Sequence, residues 1–83
     1  MKKITIYSKP NCHQCTLAKQ LAIRETDGKN IDIVVIDVTT FDNPIEQLSR
    51  ICNKDVRTVP QILIDDECIG GYTEFADELK KRI

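Results

Sequence analysis

Residues 3–8 alternate Ile4 and Ile6 with Thr5 and Tyr7 before Pro10 interrupts them, a β-branched pattern that reads as a strand. From Cys12 to about Glu25, Cys15, Ala18, Leu21, Ala22 and Glu25 recur at spacings of three and four, so one mostly apolar stripe runs along a helix with Asn11 as its cap. The turn residues 26–30 stop that helix. The apolar run 31–38 then reads as a second strand, covered on both faces. Strand, helix and strand in this order make a βαβ unit, which commits the chain to an α/β fold.

The second half continues in the same manner. Asn43 as cap, Pro44 at the first helical position and Glu46 in the first turn open a helix whose apolar face is Ile45, Leu48, Ile51 and Cys52. Residues 61–64 and 67–69 are short strands separated by Asp65-Asp66, a spacing that calls for a tight antiparallel hairpin. Gly70-Gly71 breaks the chain. Phe75, Ala76, Leu79 and Ile83 then repeat at helical spacing toward a Lys/Arg-rich end. The expected order is βαβαββα in one domain over residues 1–83, with no repeat or linker.

Composition narrows the function. Lys plus Arg number 12 against 13 Asp plus Glu, a balance that offers no basic footprint for nucleic acid and no polybasic face for anionic membrane. The longest apolar runs are far short of a membrane span, and residues 1–10 lack the apolar core of a secretion signal. A soluble monomer in a reducing cytoplasm is the expectation. Four cysteines in 83 residues raise the question of a disulfide framework, but only Cys12 and Cys15 lie close together and the apolar content is ordinary for a packed core. Redox chemistry is the better reading.

That chemistry follows from placement. A thiol attacks only as thiolate, and a helix N-terminus supplies unpaired N–H groups and a partial positive charge that favour the anion. Cys12 sits at that position, with Lys9 three residues before it. Cys15 lies one turn into the helix on the apolar stripe. Cys12 is therefore the candidate nucleophile and Cys15 the candidate resolving thiol, which attacks the mixed disulfide at Cys12 and releases reduced substrate.

Tyr7-Ser8-Lys9, Cys12-His13-Gln14-Cys15, Arg57-Thr58-Val59-Pro60-Gln61 and Ile69-Gly70-Gly71-Tyr72 together resemble glutaredoxins in order and spacing, over nearly the whole chain. The resemblance implies a thioredoxin-like fold, a four-stranded mixed β-sheet flanked by three helices. It further implies glutathione-dependent reduction of protein disulfides and glutathione mixed disulfides, with ribonucleotide reductase among the clients and no metal cofactor. Carried over by position, Pro60 matches the family's cis-proline facing the cysteines, and Val59 would pair its backbone with the cysteinyl part of glutathione, with Thr58 alongside. Lys9 resembles the cation near the glycine carboxylate. Thr73 and Glu74 match the positions that hold the γ-glutamyl end, and Gly71 and Tyr72 line that edge. His13 and Gln14 complete the expected glutathione-facing set, and His13 is read either as an exposed spacer or as a tuner of Cys12.

Two further readings stand beside this one. Many glutaredoxins carry Pro-Tyr between the cysteines, whereas Gln14 before Cys15 also resembles small redoxins that are reduced by thioredoxin reductase and serve ribonucleotide reductase. Some glutaredoxins instead bind an iron–sulfur cluster with glutathione as co-ligand. Cys52 and Cys68 are too far apart in sequence to complete a tight zinc knuckle with Cys12 and Cys15. They read as small hydrophobes on a helix face and in a hairpin strand.

Overall fold

A computed structural model describes residues 2–82. In chain order the elements are β1 (Lys3–Ser8), α1 (His13–Thr26), β2 (Asp32–Asp37), a single 3₁₀ turn (Val38–Thr40), α2 (Pro44–Cys52), β3 (Gln61–Ile64), β4 (Glu67–Gly70) and α3 (Tyr72–Arg82). The strands form one sheet in the order β2-β1-β3-β4. β1 runs parallel to β2 and antiparallel to β3, and β3 and β4 form the antiparallel hairpin. Asp65 and Asp66 both take positive φ, 52° and 79°, as a two-residue turn matched to the strand twist requires. The expected mixed sheet with three helices is the observed one.

One face of the sheet packs against α1 and α3 around Ile4, Ile6, Ala18, Leu21, Ala22, Ile62, Ile64, Phe75 and Leu79. Phe75 is fully buried, and removing such a side chain from water stabilises the fold by roughly 1.5–3 kcal/mol. The other face carries a smaller cluster, Val38, Leu48 and Val56, with Tyr7, Phe41, Cys52 and Val59 against it. Here α2 sits, and the loop from Asn53 to Pro60 returns from it to β3.

Four expectations need correction. β2 is not covered on both faces: it is an edge strand, Val34 and Val35 are substantially exposed, and Ile31 and Val38 fall outside it. A continuous apolar run does not distinguish a central strand from an edge strand. The cap of α1 is Cys12 and not Asn11, which instead takes φ 57° in the turn before the helix. The apolar face of α2 is thinner than its sequence suggests. Leu48 is its one fully buried residue, and Ile45 and Ile51 stay 41% and 45% exposed. Cys52 and Cys68 are not separate small hydrophobes, because the fold brings their Cα atoms to 5.4 Å and they form a disulfide joining the end of α2 to β4. Ile83, expected on the last helical stripe, lies outside the described residues.

Candidate active site

The turn 9–12 ends β1 and delivers Cys12 in extended conformation to the N-terminus of α1. The Cys12 Sγ accepts the Cys15 backbone N–H at 3.2 Å, and its carbonyl accepts from Thr16 N at 3.1 Å, closing the first turn. One of the orphan donors of the helix end thus faces sulfur, the arrangement that stabilises negative charge there. Cys12 is partly exposed, while Cys15 is 1% exposed. Burial, with the sulfur of Cys12 beside it, pushes the Cys15 thiol up to about 11. Cys15 therefore keeps its proton near neutral pH, and the accessible sulfur is the one at the helix end.

The Cys15 shift has a measurable consequence for the reduced protein. A thiol held neutral in the fold contributes stability that is full below the 9.0 of an ordinary cysteine and is lost as pH rises toward about 11. Urea denaturation between pH 8 and pH 11 should show a decline steeper in the reduced wild type than in Cys15→Ser. Parallel pH profiles for the two would contradict the burial of an unionised thiol.

Across from the cysteines stands the loop before β3. The Val59-Pro60 peptide bond is cis, as its place in the motif led us to expect. The Cys12 thiol lies 3.9 Å from the Val59 carbonyl oxygen. Beside them opens a cavity of about 310 Å³ lined by Lys9, Val38, Thr39, Pro44, Ile45, Arg57, Thr58 and Val59. Lys9, Thr58 and Val59 thus line one cavity. Arg57, at the edge of the same cavity, was not among the expected contacts although it directly precedes Thr58-Val59-Pro60. Its guanidinium pairs with Asp55 at 2.9 Å, both side chains largely exposed. The signal that could have found it is a second cation adjoining the loop, three residues before the cis-proline.

Gly70 and Gly71 carry the chain from β4 into α3. Gly70 takes φ +132°, open to glycine, and a Cβ there would meet the Glu74 side chain at 3.2 Å. A Cβ on Gly71 would lie 3.7 Å from both the Glu74 carboxylate and the Pro60 carbonyl oxygen. The Glu74 side chain thus lies against both glycines and lines a cavity other than the one beside Cys12, with Cys68 and Asp77 among its neighbours, and Thr73 is exposed on the same first turn. Tyr72 points elsewhere: it packs against the α1/α3 core and lines a separate cavity of about 430 Å³ with Leu21, Arg24, Glu25, Ala76, Leu79 and Lys80. That larger cavity contains neither active-site cysteine. His13 and Gln14 are exposed on α1 and do not line the 310 Å³ cavity. No group of three or more His, Cys, Asp or Glu among the described residues is placed to hold a metal ion, and no described helix is long and apolar enough to cross a membrane.

A mixed four-stranded sheet with a Cys-x-x-Cys pair at its first helix and a cis-proline opposite defines the thioredoxin-like class of thiol–disulfide oxidoreductases. A family model for glutaredoxin matches residues 4–69. The chain is 35% identical over 80 residues to a glutaredoxin of Haemophilus influenzae, covering 95% of this chain and 92% of that protein. It is 33% identical over 79 residues to glutaredoxin 1 of Escherichia coli, covering 94% and 93%. Its fold superposes on the solution structure of reduced Escherichia coli glutaredoxin with a TM-score of 0.83 at 32% identity, over 95% and 94% of the two chains. For the oxidised form the TM-score is 0.85 at 32% identity, over 98% and 96%. The chain belongs to the glutaredoxin family.

Proposed function

We propose that this glutaredoxin takes its electrons from glutathione and reduces glutathione mixed disulfides and protein disulfides, with Cys12 as nucleophile and Cys15 as resolving thiol. The observation that carries the reading is the Cys12 sulfur at the helix N-terminus, facing the Val59 carbonyl beside a cavity edged by two cations. With a glutathionylated protein, the Cys12 thiolate attacks the glutathione sulfur, the S–S bond breaks, and the protein leaves as thiolate and takes up a proton. A second glutathione thiolate then attacks the Cys12 mixed disulfide. Oxidised glutathione departs and Cys12 returns as thiolate. With a protein disulfide, Cys15 displaces the client from Cys12, leaving a Cys12–Cys15 disulfide that two glutathiones reduce.

Glutathione has carboxylates at both ends and an ammonium at one, so binding by sulfur alone would separate it poorly from other thiols. Lys9 and Arg57 supply cations for the glycine carboxylate, and Val59 offers backbone groups to the middle of the ligand, with Thr58 beside it. Glu74 faces the γ-glutamyl ammonium from the first turn of α3, near Gly71 and Thr73. Tyr72, His13 and Gln14 would contribute only through movement from the positions described above.

Exposed charge pairs contribute about 1 kcal/mol each, so Lys9→Ala and Glu74→Ala should each raise KM for a glutathionylated peptide about five-fold. Val59→Ala should change little, because its contacts are backbone ones. Raising ionic strength should shrink both charge effects. Unchanged KM in both charge variants would show that this groove does not read glutathione.

A further inference from the structure

The Cys52–Cys68 disulfide lies outside the Cys-x-x-Cys site and joins two separate elements of the fold. Cys52 is the last residue of α2, and Cys68 lies in the edge strand β4. α2 is a weakly anchored element: Leu48 is its one fully buried residue, and Ile45 and Ile51 remain exposed. A helix with so little buried surface is held in register largely by whatever ties its ends.

Pro44 and Ile45, at the other end of α2, form one wall of the cavity beside Cys12. The loop that supplies Arg57, Thr58 and Val59 to the same cavity leaves α2 immediately after Cys52. It is bound back to the helix through Ser49, whose Oγ accepts the Val56 N–H at 3.0 Å and donates to the Ile45 carbonyl at 2.8 Å. Asn53 closes the helix in left-handed conformation, its N–H directed at the Arg50 and Ser49 carbonyls. Arg57, Thr58 and Val59 follow in the same loop. The covalent bond thus ties to the sheet the helix from which both Pro44-Ile45 and the 53–60 loop extend, beside the packing of Leu48 and Val56.

We propose that Cys52 and Cys68 are a second thiol–disulfide site, exchanging with low-molecular-weight thiols, whose oxidised state holds the substrate groove closed up and whose reduction loosens it. Both residues are partly exposed, so a small thiolate can reach them. The thiolate attacks one sulfur of the pair, and the other leaves as thiolate and takes up a proton. A second thiol resolves the mixed disulfide. Cys52 and Cys68 end as two thiols, and the two attacking thiols end as one disulfide, so electrons and atoms balance. The shape of the groove thereby follows the same thiol pool that the proposed reaction draws on.

The test has two arms. In Cys12→Ser/Cys15→Ser protein, where the active-site pair is absent, alkylation and mass spectrometry should show Cys52 and Cys68 becoming two free thiols under millimolar glutathione. Hydrogen exchange measured on oxidised and reduced forms of that protein should be about ten-fold faster over residues 44–60 in the reduced form, with β1 and α1 unchanged. A pair that resists glutathione overturns the proposal. So does unchanged exchange over 44–60, or equal acceleration through the whole sheet, which would make the bond a general staple. The second arm rests on the glutathione reading: Cys52→Ser/Cys68→Ser with Cys12 and Cys15 intact should raise KM for glutathionylated peptide about three-fold and leave kcat alone. Unchanged KM in that variant, folded by circular dichroism, also overturns it. If the wild type fails to turn over the peptide at all, the glutathione reading falls and the exchange data still decide whether the bond fixes the groove.

Discussion

Cys12→Ser should abolish turnover, by at least about 10³-fold, in every thiol–disulfide assay, whichever reductant is supplied. Each route begins with a sulfur–sulfur bond formed at residue 12, and a serine oxygen can neither ionise near neutral pH nor form that bond. The loss is chemical rather than structural. Cys12 caps α1 by accepting the Cys15 N–H, and serine is among the preferred residues for that task. Thermal unfolding of the variant should therefore match that of the reduced wild type while activity is absent. Appreciable residual turnover in a folded Cys12→Ser protein would place the nucleophile elsewhere.

Cys15→Ser should split the two reactions instead of ending both. Removal of glutathione from a glutathionylated peptide needs only Cys12 and a second glutathione, so it should persist within about three-fold of wild type. Reduction of an intramolecular protein disulfide needs the buried thiol to displace the client, and should fall by about a hundredfold or more. Cys15 is 1% exposed on the inward face of α1, so a serine there buries a hydroxyl at a cost of about 1–3 kcal/mol. Both assays should accordingly be run at temperatures where circular dichroism shows the variant folded. Equal loss of both reactions would mean that Cys15 does something other than resolve.

The local signals in the sequence carried much of the fold. Alternation in residues 3–8, the stripe from Cys15 to Ala22 and the Asp65-Asp66 turn each have a period or a backbone requirement that needs no distant partner. The failures lie where a distant partner decides. Whether the run at 31–38 is covered depends on what packs over the two faces of β2, and Val34 and Val35 stay substantially exposed. The stripe of α2 was legible as a period, yet the depth of its burial depends on how closely the helix approaches the sheet. Cys52 and Cys68 belong to a helix and a strand that meet only after β3 and β4 have folded back, so their pairing has no trace in local spacing.

The candidate site shows the same division. Cys12 and Cys15 were legible because both lie on one turn of helix, where spacing alone sets exposure. Their partners across the groove came from the family resemblance. Arg57 stood in the quoted motif, but its importance appears only when the loop brings it to the same cavity as Lys9. Tyr72 was expected at that edge, yet the direction of α3 turns it to the core with Leu21 and Leu79. A residue's neighbours in sequence do not determine which face of the sheet it reaches.

The central claim, that glutathione is the electron donor, is tested most directly by following NADPH oxidation with a glutathionylated peptide, glutathione and glutathione reductase, beside a matched assay with thioredoxin reductase in place of the glutathione system. The account predicts NADPH consumption that depends on glutathione, on the peptide and on Cys12, with little turnover in the thioredoxin reductase assay. Robust turnover through thioredoxin reductase, with none that depends on glutathione, would contradict it.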